Sequence, residues 1–490
     1  MPAQFRMPAP ADAASAVITA AEEIVRRAER REERRLRRAA RGDRARRRLD
    51  AERGRRAARK RDRALSEAER LRAAADQARR ELLERVAALR AAAGGSVLDC
   101  LALVPDPRDP RGRRHSLPCV LGLVVTAMLH GKTLLADITA WIGHAGQDVL
   151  AALGARTGPD GKRAAPCART VTRLLGLVGA CALSRAVTAF LAAAGKSGPA
   201  AFPLAGPVPQ PHVACDGKEV RGARRPDGTS LFLLSAATAG DGRPVVLADR
   251  EIPAKTNEIP EIGPMLRELN ARFPLAGRVL TADALHAQRG FAVLACEDLL
   301  AHYVLAVKAN QPGLFAALRG LCWAGAARHV TTGTGHGRRE RRSHLVMDAP
   351  EEIKALFPHV RQVAKVTRTR TVTAWRGDGK KRTRVTRTST ETVYLVTSLS
   401  SREAAPEHIA AYARSHWSIE NQVHWVRDVT LREDASKVRA ASRPRNLATL
   451  RNLQTGLIRQ HGRTGIAAAI RDAEYDKTLV YALLRLEPAR

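Results

Sequence analysis

Between residues 212 and 309 three short apolar runs follow one another with only turns between them, and the chain then alternates helix with strand. HVACDGKEV, SLFLLSAATA and RPVVLADREI carry the residue types of half-buried strands, with turns expected at Arg225 to Gly228 and Gly240 to Gly242. NEIPEIGPMLRELNARF has the apolar spacing of an amphipathic helix, RVLTADALH reads as a fourth strand, RGFAVLACEDLLA as a second helix and HYVLAVKA as a fifth strand. Strands joined through helices must run parallel, with a right-handed crossover, so the fourth strand is expected beside the first. The fold class is therefore α/β, with a mixed sheet.

The flanking segments have different patterns. A Pro/Gly-rich linker, AAAGKSGPAAFPLAGPVPQP, precedes the first strand, and before it residues 97–198 are expected to form an all-helical domain. Leu117 to Met128, Leu134 to Ile142 and Thr170 to Val178 carry helical spacing there, whereas PDPRDPRGRRH must be a basic loop, because its prolines remove donors and extend the residues before them. PCARTVTRLLG has the length of a recognition helix and equally the pattern of a core helix with one basic face. Residues 1–96 are dominated by Ala, Arg, Glu and Leu, which predicts a long charged N-terminal helix. Three readings of it stay open: a solvated or partly disordered extension, a DNA-binding or dimerising arm, or translation from an upstream start. Residues 199–312 hold the first part of the α/β core. Residues 313–400 alternate β-branched with polar or basic residues, which predicts an all-β insertion with a basic face and a GDGK hairpin turn at residues 377–380. Residues 401–490 return to helix and complete the core.

A formal net charge of +34 makes a polyanion the natural partner. Nucleic acid leads; an anionic membrane surface is the alternative, but no run of eighteen apolar residues is present to span a bilayer. The N-terminus lacks a basic segment followed by an apolar one, so a cytoplasmic protein is expected. Seven scattered cysteines without a C-x-x-C pair argue against disulfides and zinc, and are expected to be buried free thiols.

Three acids stand out by placement. Asp216 and Asp283 end the first and fourth strands, where the sheet opens, and Glu420 lies on a helix after the insertion. Clustered carboxylates raise one another's pKa unless a cation intervenes, and oxygen-only donors suit Mg²⁺ or Mn²⁺. Two such ions could serve an in-line phosphoryl displacement. Singly, each acid is as well explained by a turn, a helix cap or a salt bridge.

DGKEVRGAR, LTADALHAQ, YVLAVKANQP and HWSIENQVHWVRDVTLREDASKVR occur in that order and together resemble insertion-sequence DDE transposases of the H-repeat-associated group. VPDPRDPRGRRHSLPCVL resembles the helical domain that precedes their catalytic core, and the resemblance spans residues from about 97 to about 455. It implies a ribonuclease H-like core, as the strand order also suggests, with an insertion filling the long interval between Asp283 and Glu420. It implies that Asp216, Asp283 and Glu420 are catalytic and hold two Mg²⁺ or Mn²⁺ ions. The partners implied are the terminal inverted repeats of a mobile element and a target duplex, with a homodimer on DNA, in a cytoplasmic, nucleoid-associated protein with no membrane contact. Lys218, Lys308, His416, Asn421, Arg427, Arg113 and Arg114 are the expected DNA contacts. The wider superfamily's Tyr, Arg and Lys around the acid are replaced here by Ala413, with Tyr412 one residue early, and by His416 and Arg427.

His416, Glu420 and His424 share one face of a regular helix and invite a zinc reading; without a third nitrogen or thiolate, a phosphate contact or a packed histidine fits better. Lys308, Asn310 and Gln311 could hold a strand's phosphates or form a loop salt bridge. Trp323 or Trp375 could stack on a displaced base or pack in the core. A DNA-binding repressor that keeps the fold without catalysis is the alternative to an enzyme.

Overall fold

The computed structural model describes residues 95–197, 210–225, 228–240, 243–253, 257–335, 337–376 and 383–487. The expected N-terminal helix, most of the Pro/Gly linker and the GDGK turn lie outside the described residues. Six helices come first: α1 (Val97–Ala102), α2 (Leu117–Leu129), α3 (Leu135–Gly143), α4 (Gln147–Ala152), α5 (Ala168–Leu177) and α6 (Ala180–Ser197). Ser96 caps α1 in a reciprocal box with Asp99, and Ser116 caps α2 just before Pro118. The proline-rich loop between them holds only one 3₁₀ turn, Pro110–Gly112, as its composition requires.

The core strands and helices fall where the apolar runs place them: β1 (His212–Val220), β2 (Leu231–Ala239), β3 (Val246–Ile252), α7 (Ile259–Arg272), β4 (Val279–Ala282), α8 (Arg289–Val293) and β5 (His302–Val307). A π-helical turn, Leu294–Asp298, extends α8. β1 to β3 form an antiparallel meander, while β4 runs parallel to β1 and β5 parallel to β4.

The segment expected to be an all-β insertion contains helices as well: α9 (Pro312–Gly320) and α10 (Glu351–Leu356) accompany β6 (Ala327–Gly335), β7 (Arg338–Asp348), β8 (Gln362–Arg376) and β9 (Thr383–Thr397). Pro312 in the first turn and Leu314 and Leu318 on the buried face of α9 are helix signals that the neighbouring β pattern obscured. Nor are these strands a separate sheet. β9 pairs antiparallel with β5, giving one nine-stranded sheet of order β3-β2-β1-β4-β5-β9-β8-β7-β6.

Helices cover both faces. Val213, Cys215 and Leu280 pack with Ile262, Leu266 and Phe291 from α7 and α8 on one side. On the other lie α11 (Pro406–Ser415) and two π-helical stretches, Ile419–His424 and Val426–Thr430; Ile409 and Tyr412 pack on Val304 and Leu395, and Ile419 and Val423 on Ala214 and Ala237.

The chain ends in α12 (Arg443–Gln460), α13 (Ile466–Tyr475) and α14 (Lys477–Leu484). α12 does not simply complete the α/β core. It runs among the N-terminal helices, its Asn446 amide donating to the carbonyls of Leu175 and Val178 and its Gln454 amide to that of Met128. It also ties them to the sheet: Arg445 pairs with Asp249 of β3, which further accepts from Ser184 at 2.5 Å and Asn452 at 3.1 Å. Buried polar groups demand partners, and here helix ends and a strand carboxylate supply them.

Among the described residues no single helix is long and apolar enough to cross a membrane; α5 and the first part of α6 reach the required composition only together, bent by 90°. All seven cysteines are free thiols, but only Cys100, Cys119 and Cys215 are buried, Cys296 is partly so, and Cys167, Cys181 and Cys322 are exposed, because they sit at helix starts and in a loop.

Candidate active site

Parallel pairing of β1 with β4 matches Cys215 to Ala282, so Asp216 and Asp283 come side by side where that pairing stops; Asp283 follows the end of β4, but Asp216 lies inside β1, which continues to Val220 because its antiparallel pairing with β2 does not stop at the acid. Asp216 is about a quarter exposed, with Oδ2 3.3 Å from Nδ1 of His424. Asp283 is exposed and caps the 3₁₀ turn Ala284–His286, its Oδ1 accepting from the Leu285 N–H at 3.0 Å. Glu420, also exposed, stands between Ile419 and Val423, the two residues that seat the helix on Ala214. The Trp425 N–H bonds to the Glu420 carbonyl, an i→i+5 pattern of the kind that often marks functional sites. All three carboxylates line one cavity of about 670 Å³, with Lys308 and His416 beside them.

The carboxylates stand apart within that cavity. Among the described residues no three His, Cys, Asp or Glu side chains are close enough to share a metal ion as they lie. The three acids offer the cavity carboxylate oxygens, donors of the kind that suits Mg²⁺ or Mn²⁺.

Two glycines of the DGKEVRG run are there for space. A Cβ on Gly217 would lie 1.9 Å from Oε1 of Glu258, whose other oxygen is 3.0 Å from Nε2 of the buried His286. A Cβ on Gly222 would lie 2.1 Å from the Ser436 carbonyl oxygen. β1 thus admits a carboxylate at Gly217, and the 3₁₀ turn Arg221–Ala223 that follows it admits the LREDASKVR segment at Gly222.

Several expected DNA contacts point elsewhere. Lys218 is buried, with Nζ 2.5 Å from Oδ1 of Asp428 and 3.7 Å from Oε2 of Glu433. Arg427 is wholly enclosed and bonds Glu433 at 2.8 Å, and Arg451 approaches the same carboxylate at 3.2 Å. Burial alone would raise the Glu433 pKa, but Arg427, Arg451 and Lys218 outweigh it and hold the group at about 2. A phosphate has no route to either cation, so both serve the interior; a Lys or Arg placed by motif alone does not reveal which way its side chain turns.

His416 is also engaged inward. Its Nδ1 is 3.0 Å from the Thr281 hydroxyl, which lies 2.6 Å from Nε2 of His212, and Nδ1 of His212 meets the Ser415 hydroxyl at 2.7 Å. Burial drives the His212 pKa down to about 3 and lowers that of His416, where attraction from Asp216 and Asp283 only partly compensates. These imidazoles are neutral at pH 7 and form a relay that fixes the helix to β1 and β4. Asn310 donates to the Ala284 carbonyl at 2.5 Å and Gln311 to Gln288 at 3.0 Å, so both brace the loop after Asp283. Arg113 donates to the carbonyls of Arg108 and Asp106 within its own loop, while Arg114 is exposed. Lys308 and Asn421 are exposed as expected, Lys308 on the cavity rim. Trp323 packs against Tyr394 in the core, ring centroids 6.1 Å apart, and the Trp375 side chain lies outside the described residues.

Other cavity residues escaped the motif reading. Trp417, half exposed, lines the wall beside Glu420, and Arg342, Arg368 and Arg414 line its far end. The two-residue period of the strands held the signal for Arg342 and Arg368, since it assigns a face to every residue once one is anchored.

A family model described as the transposase DDE domain matches residues 207–453, and one described as DDE_Tnp_1-associated matches residues 98–191. "Putative transposase YncI" of Escherichia coli O157:H7 is 26% identical over 372 residues, covering 74% of this chain and 87% of its own length. "H repeat-associated putative transposase YhhI" of Escherichia coli K12 is 23% identical over 399 residues, covering 79% of this chain and 97% of its own. A piggyBac transposase, solved by cryo-EM as a synaptic complex with hairpin DNA, is a distant structural likeness with a TM-score of 0.36 and 10% identity, over 82% of this chain and 80% of that one. The model that spans both aspartates and the acidic helix covers half of the sequence, and on that match the chain belongs to the transposase DDE domain family.

Proposed function

We propose that the protein cleaves and joins DNA strands at the ends of its own mobile element, with Asp216, Asp283 and Glu420 as the catalytic acids. The observation that carries this reading is their presentation to one cavity from three separate elements, inside the segment matched by the transposase model. The meander β1 to β3 followed by β4 and β5 parallel to β1 supports a ribonuclease H-like core.

Asp216, Asp283 and Glu420 would hold two Mg²⁺ or Mn²⁺ ions, which supply activation of the attacking oxygen and stabilisation of the leaving oxygen. The protein's own contribution is placement. His424 fixes one oxygen of Asp216, the Leu285 N–H fixes one of Asp283, and the His416–Thr281–His212–Ser415 relay locks the acidic helix to both strands. Lys308 on the rim supplies a cation for the bound strand. The DNA partners assigned on this reading are the terminal inverted repeats and a target duplex, with two copies of the chain joined on DNA.

Glu420→Gln keeps the size of the side chain and removes its charge. Metal-dependent nicking of a duplex carrying the element end is expected to fall at least a thousandfold, with binding of the same duplex within about threefold of wild type. Nicking by a variant with all three acids replaced by their amides sinks the assignment, and binding without any wild-type nicking favours a repressor instead.

A further inference from the structure

Both faces of the β7–β8–β9 ribbon carry cations, with Arg339, Arg341 and Lys365 on one, but only the other face opens on the acid cavity. Glu340, Arg342, Val366, Arg368, Glu391 and Val393 line the acid cavity, so even residues of β7 and β8 and odd residues of β9 share its face. The same period carries Arg338, Arg370 and Arg387 outward on that face. The opposite face bears a ladder of threonine pairs, 367 with 392, 369 with 390, 371 with 388 and 373 with 386, two of them hydroxyl-bonded at 3.1 and 3.2 Å.

The arginine face is under-neutralised. Arg342 sits directly opposite Arg368, an arrangement that disfavours a sheet, and both lean on the single carboxylate of Glu340, at 2.7 and 3.0 Å. Arg368 reaches Glu391 only at 3.8 Å. Arg338 and Arg387 flank Val372 in one cross-strand row, and among the described residues no carboxylate is within ion-pair distance of either or of Arg370. Nε of Arg370 is enclosed without a hydrogen-bond partner. From α11, Arg414 adds a further guanidinium at the cavity wall.

We infer that this arginine face is the track on which the DNA duplex leaves the acid cavity, gripped by its phosphates. The inference rests on the DNA-cleaving reading above and specifies where that DNA lies. From Val366 to Arg376 the strand covers about 33 Å at ~3.3 Å per residue, the length of about ten base pairs. As far out as Val372 the surface is four strands wide, roughly 14 Å between the outer axes at ~4.8 Å per step, and the major groove is only ~12 Å wide. A surface too broad for the groove meets the backbone, where guanidinium forks match phosphate oxygens.

The test is binding of the full chain to a 30-base-pair duplex of arbitrary sequence, by fluorescence anisotropy over a range of salt concentrations without divalent metal. The triple variant R338Q/R370Q/R387Q is expected to bind at least tenfold more weakly at physiological salt, with the log–log salt slope shallower by about 2.7, or ~0.9 for each phosphate no longer neutralised. R339Q/R341Q/K365Q removes the same charge from the threonine face and is expected to stay within twofold of wild type. Equal weakening by both triples, or no weakening by the first, overturns the inference. Hydroxyl-radical protection of an element-end duplex by the wild-type protein needs no variant: protection of about ten base pairs beyond the cut supports the track, and protection that stops at the cut overturns it. Because binding is read without metal, loss of cleavage in Glu420→Gln and loss of this face-specific effect are separate results, and either can fail alone.

Discussion

Arginine is used in opposite ways at the two ends of the nine-stranded sheet. Around α12, Arg427, Arg445 and Arg451 are enclosed and their charges are absorbed by Glu433 and Asp249. On the ribbon, Arg338, Arg370 and Arg387 share one face with no carboxylate in reach among the described residues. The contrast shows that what an arginine does depends on the partners the fold delivers to it, and not on how many arginines the sequence holds. A buried guanidinium is tolerated only when paired, and an exposed one is left to act on something outside the chain.

The sharpest way to break this comparison is to remove the acid on the buried side. Glu433→Ala leaves Arg427 and Arg451 enclosed without their shared carboxylate and is expected to cost about 3–5 kcal/mol in urea unfolding. A loss below about 1 kcal/mol shows that the site relaxes to admit water. Acid titration addresses the same group: the folded Glu433 pKa lies below its ordinary value of 4.5, at about 2, so its contribution is complete above pH 4.5 and fades as pH falls toward 2. Wild-type protein should lose stability through that window, and Glu433→Gln, already less stable, should lose less of it; parallel curves refute the assignment.

A smaller effect is expected beside the candidate acids. Gly217→Ala displaces the flexible end of the Glu258 side chain from His286 and should destabilise by about 0.5–1.5 kcal/mol, with a lower melting temperature in calorimetry. No change means that Glu258 swings away freely. Least is expected on the ribbon's far face, where Thr371→Ala and Thr388→Ala together should cost at most about 1 kcal/mol in the same urea measurement. A loss like that of Glu433→Ala would make the ladder a foundation of the fold.

Much of the core was legible in the sequence because strand and helix periods differ. HVACDGKEV coincides with β1, and the meander followed by helix, strand, helix, strand emerged in order. Asp283 was legible as a strand end, and Asp216 as the acid the topology would set beside it, but Asp216 stands inside β1 and does not end it. What failed was everything decided by distant chain. Lys218 and Arg427 look like surface cations next to acids, but their fate depends on Glu433, brought in by the turn after the π-helical stretch. His416 lines the acid cavity as a phosphate contact would, but nothing in the motif tells that its Nδ1 is bonded to Thr281. The helices α9 and α10 hid inside a β-rich region because each is short, so neither shows a sustained helical period.

The position of α12 has a consequence for how the molecule is made. Its buried amides satisfy carbonyls at the ends of α2 and α5, helices that leave the ribosome more than two hundred and fifty residues earlier. At the usual ~5–20 residues per second, those helices wait on the order of tens of seconds for their last partner. During that interval a newly made N-terminal half exposes apolar surface with nothing of its own to cover it, so a chain interrupted before Arg443 is a natural substrate for chaperones and proteases.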